Sequence, residues 1–156
     1  GVQTCALPIL EGAEDEEAPP DLEEPEVIVP VQKQTGAILV VDDEKPILDI
    51  ACDILGQYGY TTVTAENGEG ALDIYEREKD RINLVLLDIG MPGMGGYRCF
   101  QELMRIDPAT KIIITTGYSA SDKVEEMLAS GAAGFIGKPY RLVDMVKKVE
   151  DALRRE

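Results

Sequence analysis

Short apolar runs recur along the second three-quarters of the chain, each followed by apolar residues at helical spacing. Ile38–Val41 and Leu84–Leu87 are unbroken aliphatic stretches, and Lys111–Thr116 carries three isoleucines in a row. Runs without polar alternation predict strands buried on both faces, as in a parallel sheet. Thr61–Ala65 is β-branched and predicts a further strand, and Gly134–Ile136 a short fifth one. The segments between them repeat at three and four residues. Lys45–Gly56 carries Ile47, Leu48, Ala51, Ile54 and Leu55; Pro46 suits its first turn, and Gly56 and Gly59 mark its stop. Asn67-Gly68 opens a second helix, with Ala71, Leu72, Ile74 and Tyr75 on its apolar side. Tyr97–Ile106 turns Phe100, Leu103 and Met104 inward and ends at Asp107-Pro108. Ser121–Ser130 turns Val124, Met127 and Leu128 inward and stops at Gly131. Arg141–Arg155 carries Leu142, Met145, Val146, Val149 and Leu153 on one stripe.

Strand and helix alternate five times, so the expected fold is α/β, a parallel sheet with helices on both faces. Right-handed crossovers leave few topologies; the flavodoxin-like, doubly wound order 2-1-3-4-5 is the expected one. Open sheets of this kind bind ligands at the carboxyl ends of their strands. Asp88 ends the third strand and opens into Ile89-Gly90-Met91-Pro92-Gly93-Met94-Gly95-Gly96, a loop that cannot continue a strand. By itself Asp88 reads as readily as a solvated acid or a helix cap. The other strand ends change that: Asp42 and Asp43 follow strand one, Thr116 ends strand four, and Lys138 with Pro139 follows strand five. In the expected order these strands are consecutive neighbours, so the five side chains would converge on one pocket. Three crowded carboxylates need a cation, and an all-oxygen open site suits Mg²⁺ (or Mn²⁺). A carboxylate nucleophile, a divalent cation, a lysine and a hydroxyl donor are what phosphoryl transfer onto an aspartate requires.

Composition bounds the partners. Among the 156 residues are 30 acids and 15 bases, a net charge of −15, which argues against a nucleic-acid surface and against attraction to anionic lipid. Residues 1–36 hold nine acids and one lysine, and Glu11–Gln34 is rich in Glu, Asp, Pro and Ala. Such a segment self-repels and buries too little surface to order itself, so 1–36 is expected to be a disordered linker or tail ahead of a domain spanning 37–156. Three cysteines, Cys5, Cys52 and Cys99, form no CxxC pair, and reduced thiols are expected, with Cys52 and Cys99 as small core residues. No apolar run approaches the length of a membrane span. The chain contains no histidine, which removes a histidine base, metal ligand or phosphohistidine from it.

With these blocks in order, the sequence resembles the receiver domain of two-component response regulators over about Ala37–Arg155. The residues that carry the resemblance are Val41-Asp42-Asp43-Glu44, Asp88–Gly96, Thr116-Gly117 and Gly131–Pro139. It implies that Asp88 is the phospho-acceptor and that Asp42, Asp43, Asp88 and the Gly90 backbone carbonyl hold Mg²⁺. It implies that Thr116 and Lys138 bind the phosphoryl group, that Thr116 and Phe135 form the switch, and that Pro92, Gly96 and Pro139 shape the loops. The resemblance also implies that Gly90 and Tyr118 stand at positions that tune phosphoryl lifetime. Gly90 has no side chain to orient water, whereas Tyr118 would shield the pocket. Gly95 departs from the acid often found there.

The implied function is phosphorelay signalling, with the phosphoryl group supplied by a sensor histidine kinase or a histidine phosphotransfer domain. The implied location is cytoplasmic, with no direct membrane contact. The chain is then a self-catalysing phospho-acceptor rather than an enzyme. The acidic linker and the non-Met start favour the C-terminal receiver of a hybrid sensor kinase, which a membrane-bound parent would tether to the membrane; a stand-alone regulator is the alternative. A docking module without the chemistry would be expected to have lost an acid, the threonine or the lysine. A magnesium-dependent aspartyl phosphatase would carry a second acid two residues after the nucleophile, where this chain has Gly90.

Overall fold

The computed structural model describes residues 36–117 and 121–154; the segment read as a linker, Cys5 and Tyr118 lie outside them. Five strands form one sheet: β1 (Ala37–Val41), β2 (Thr61–Ala65), β3 (Ile82–Asp88), β4 (Ile112–Thr116) and β5 (Gly134–Gly137). All four pairings are parallel and the order is β2-β1-β3-β4-β5. This is the flavodoxin-like doubly wound arrangement that the alternation predicts.

Every residue of β1 and β4 is buried, because helices cover both faces. Alternate side chains point to opposite sides of a strand, so one run feeds two cores. Ile38, Val40, Leu84, Leu86 and Ile113 pack against Leu48, Ala51 and Leu55 of α1 (Lys45–Gln57) and Met145, Val146 and Val149 of α5 (Leu142–Arg154). Leu39, Val41, Val85, Leu87, Ile112 and Ile114 pack on the other face. There they meet Tyr75 of α2 (Gly68–Glu78), Phe100 and Leu103 of α3 (Gly95–Ile106) and Met127 of α4 (Ser121–Ala129). The edge strand β2 is only partly covered, with Thr61 and Thr64 exposed and Ala65 buried.

Element ends shift by a residue or two from the sequence reading. Gly56 lies inside α1, and the stop falls at Tyr58 and Gly59. Gly59, at φ +87°, supplies the left-handed turn that reverses the chain. β3 begins at Ile82, because a register irregularity opposite Ala37 and Ile38 lets Asn83 bulge outward. α3 begins at Gly95, two residues before the apolar periodicity becomes readable. Asn67 caps α2 by accepting the Gly70 amide at 2.6 Å. Cys99 is fully buried, as expected; Cys52 is only partly covered, because it lies at the margin of the buried Leu48–Ala51–Leu55 stripe.

Ile113 is fully enclosed within β4. Ile113→Ala is expected to lower the free energy of unfolding by about 2–5 kcal/mol in urea melts.

Candidate functional site

Register decides which side chains meet. Val41 pairs with Leu87, so the residues that follow, Asp42 and Asp88, stand side by side at the sheet's carboxyl edge. Asp88 is level with Thr115 on the next strand, which brings Thr116 just above it. Thr116 pairs with Gly137, and Lys138 follows. The Lys138 amide donates to the Thr116 carbonyl at 2.7 Å, anchoring the start of the β5–α5 loop on β4. The Lys138–Pro139 peptide bond is cis.

The side chains complete a compact charged cluster. Lys138 Nζ lies 2.9 Å from Asp42 Oδ2 and 3.3 Å from Asp88 Oδ2. The other oxygen of each acid takes a backbone donor: Glu44 N–H donates to Asp42 Oδ1 and Gly90 N–H to Asp88 Oδ1, both at 2.9 Å. Asp43 is exposed at the rim, with a carboxylate oxygen within 4.8 Å of those of Asp42 and Asp88. Asp42 and Asp88 are only 3 % and 5 % exposed. Two acids are thus desolvated beside one another, with one ammonium between them.

That crowding sets the protonation energetics. Burial pushes the Asp88 carboxyl above its ordinary value, the Gly90 amide and Lys138 oppose this, and the Asp42 charge adds to it; the net direction is upward. Burial alone would lower the Lys138 pKa, but the hydrogen bond to Asp42 and the charges of Asp88 and Asp42 outweigh it. The ammonium therefore stays charged at neutral pH. Three carboxylates against one lysine leave excess negative charge, and the donor set is all oxygen. The cluster fits a hard divalent cation, with its rim open for water or a phosphate oxygen.

The loops are shaped to present the acids. The β3–α3 loop turns at Gly93 and enters α3 at Gly95, both at positive φ, and the buried Gly96 lets the first turn of α3 lie directly on the loop backbone. A Cβ at Gly96 would overlap Ile89 Cα and the Asp88 carbonyl oxygen. Pro92 and Pro139 are exposed on the two loops that flank the cluster. Thr116 is buried at the adjoining strand end. Phe135 is half-buried and lines a groove between β5 and α5 beside Asp144 and Lys148. Sequence reasoning assigned no role to Tyr140. It is half-buried beside the cluster, and burial raises its pKa within reach of the charges of Lys138, Asp42 and Asp88. Its position two residues after Lys138 was the available signal. Tyr140 also lines an apolar groove of about 490 Å³ with Ile47, Ile50 and Leu142, which adjoins the cluster at Lys138.

Comparison with known proteins places this geometry. The family model for the response regulator receiver domain matches residues 38–150. Sporulation initiation phosphotransferase F of Bacillus subtilis is 35% identical over 118 residues, covering 76% of this chain and 90% of that protein. The chain spans only half the length of two other curated relatives that it matches, both probable transcriptional regulators. Among solved structures, a response regulator receiver domain protein of Clostridium thermocellum superposes with a TM-score of 0.74 at 29% identity, covering 77% of this chain and 95% of that one. The CheX-CheY-BeF3-Mg²⁺ complex of Borrelia burgdorferi gives a TM-score of 0.73 at 28% identity, covering 77% and 90%.

A buried carboxyl with a raised pKa binds its proton more tightly in the folded than in the unfolded chain. Its contribution favours the fold at acid pH and is lost as pH rises from the ordinary carboxylate value through the raised one. Neutralising Asp88 without changing its shape removes that penalty. Asp88→Asn is expected to raise the thermal midpoint by a few degrees at pH 7 with chelator present. Adding Mg²⁺ is expected to stabilise the wild type more than the variant. An unchanged or lower midpoint for the variant in chelator would refute the repulsion argument.

Proposed function

The chain belongs to the response regulator receiver domain family, and on that premise we propose that Asp88 accepts a phosphoryl group from a phosphohistidine. The observation that carries the proposal is the cluster of Asp42, Asp43 and Asp88 closed by Lys138 Nζ at 2.9 and 3.3 Å.

The chemistry follows from what each residue offers. An Asp88 oxygen attacks phosphorus in line; the new O–P bond forms as the P–N bond to the donor imidazole breaks. A carboxylate needs no general base, so a chain without histidine performs the step. Lys138 moves from bridging two acids to pairing with the phosphoryl oxygens, and the Thr116 hydroxyl donates to another. Asp42, Asp43, Asp88 and the Gly90 carbonyl would hold Mg²⁺ or Mn²⁺, which when bound neutralises charge on the phosphoryl oxygens. Pro92, Gly96 and Pro139 hold the loops so that the acid faces the open side. Gly90 leaves the approach to Asp88 uncovered, and with Tyr118 it sets phosphoryl lifetime.

The acquired charge becomes a signal when Thr116 is drawn toward the phosphoryl group and Phe135 changes rotamer, altering the surface around β5 and α5. The donor is a sensor histidine kinase or a histidine phosphotransfer domain. The linker-like composition of 1–36 favours the receiver of a hybrid kinase over a stand-alone regulator, with the domain proper at 37–156. Among the described residues no helix is long and apolar enough to cross a membrane, and the proposed setting is cytoplasmic.

Incubation with Mg²⁺ and acetyl phosphate, read by intact-mass spectrometry, tests the assignment. The wild type is expected to gain one phosphoryl group, dependent on Mg²⁺, and Asp88→Asn none. An adduct that persists in Asp88→Asn would move the acceptor elsewhere. The absence of both an adduct and a beryllofluoride complex in the wild type would leave a docking module.

A further inference from the structure

The charged cluster occupies the carboxyl edge of the sheet; a second set of buried polar atoms lies at the opposite, amino edge. Tyr60 immediately precedes β2, and its amide donates to the Leu55 carbonyl at 3.1 Å, closing the turn from α1. Its side chain belongs to the same core as Leu55 of α1 and Val149 and Ala152 of α5, and the residue is only 7 % exposed. The hydroxyl sits at the tip of a rigid ring, so it cannot reach bulk water unless the ring leaves the core. A buried tyrosine therefore needs a partner in place. Among the described residues the Tyr60 hydroxyl has none, and neither has Glu150 Oε1, which is also buried.

The two groups are electrostatic neighbours. Burial raises the Tyr60 pKa, the Glu150 charge adds to the rise, and the Arg154 charge, one turn further along α5, opposes it. The phenol keeps its proton and is a donor, whereas the carboxylate oxygen is an acceptor. A direct bond between them would bring the oxygens to about 2.5–3.0 Å, and they do not make one. Two buried polar atoms left unsatisfied would each carry a desolvation penalty. Buried polar atoms without a protein partner are bonded in native proteins to ordered water. A single water accepts from the phenol and donates to the carboxylate, satisfying both.

We propose that Tyr60 Oη and Glu150 Oε1 form a binding site for one internal water, which bridges the α1–β2 turn to the last turns of α5. A second polar tie supports the same end of that helix: Lys111 Nζ donates to the Leu153 carbonyl at 3.4 Å. Lys111 precedes β4 and Tyr60 precedes β2, and these strands lie on either side of β1 and β3. The end of α5 is thus anchored from both sides of the pair that carries Asp42 and Asp88. The site does not depend on the phospho-acceptor reading of Asp88.

A crystal structure of the protein at a resolution that shows ordered water, with thermal melts of the wild type and Tyr60→Phe, tests the site. One water is expected within about 2.6–3.2 Å of both Tyr60 Oη and Glu150 Oε1. Tyr60→Phe keeps the packed ring and removes only the hydroxyl, so the sign of its effect is diagnostic. Loss of a bridged hydroxyl is expected to lower the midpoint by about 3–6 °C, whereas loss of an unpartnered one would leave it unchanged or raise it. In the background of Glu150→Ala the same substitution is expected to lower the midpoint less, because the bridge is already broken. A direct phenol–carboxylate bond, no water between the pair, or an unchanged or higher midpoint for Tyr60→Phe overturns the proposal.

Discussion

Two carboxylates buried side by side at the end of a parallel sheet impose the central constraint on this molecule. Asp42 and Asp88 are almost wholly removed from water, and like charges at such range repel strongly. The fold tolerates them because Lys138 bridges both and because each acid also accepts a backbone amide. Compensation stops short of neutrality, since Asp43 adds a third charge at the rim. That residual imbalance makes the cluster a receptor for cations and for a group that arrives with its own cation. A site built to maximum stability would have replaced these acids with apolar residues; this one retains the strain at its open edge.

Everything beneath the cluster serves its geometry. Two separate cores, one on each face of the sheet, fix β1, β3 and β4 in register. The pairing of Val41 with Leu87 and of Thr116 with Gly137 then decides which side chains face one another. A slip of one residue in any strand would turn Asp42, Asp88 or Thr116 into the core or away from the site. Packing precision in the interior is thereby converted into charge placement at the rim.

The chemistry was legible in the sequence because strand ends are marked twice. An aliphatic run has to stop, and in a parallel sheet all runs stop at the same edge. Asp42, Asp43, Asp88, Thr116 and Lys138 could therefore be grouped from one dimension alone. Gly96 was legible as a loop residue, but its contact with the backbone of Ile89 was not. Tyr140 and Tyr60 went unassigned for a related reason. Each owes its significance to residues far along the chain, Tyr140 to Asp42 and Asp88, and Tyr60 to Glu150.

Local rules determined the alternation of strand and helix and the identity of the charged residues at the strand ends, both of which depend on periodicity or on turn chemistry within about ten residues. The doubly wound order followed from the alternation only through the handedness rule for crossovers. Element ends were less readable: Gly56 could continue α1, and Gly95 could begin α3, because glycine tolerates helical and non-helical backbone alike. Distances belonged wholly to the tertiary structure. That Lys138 lies between Asp42 and Asp88, that burial raises the Asp88 carboxyl, and that Tyr60 is buried within reach of the Glu150 charge all depend on strand register and on helix packing across the sheet. Those are sums of many small contacts between residues remote in sequence, and no single stretch of the chain encodes them.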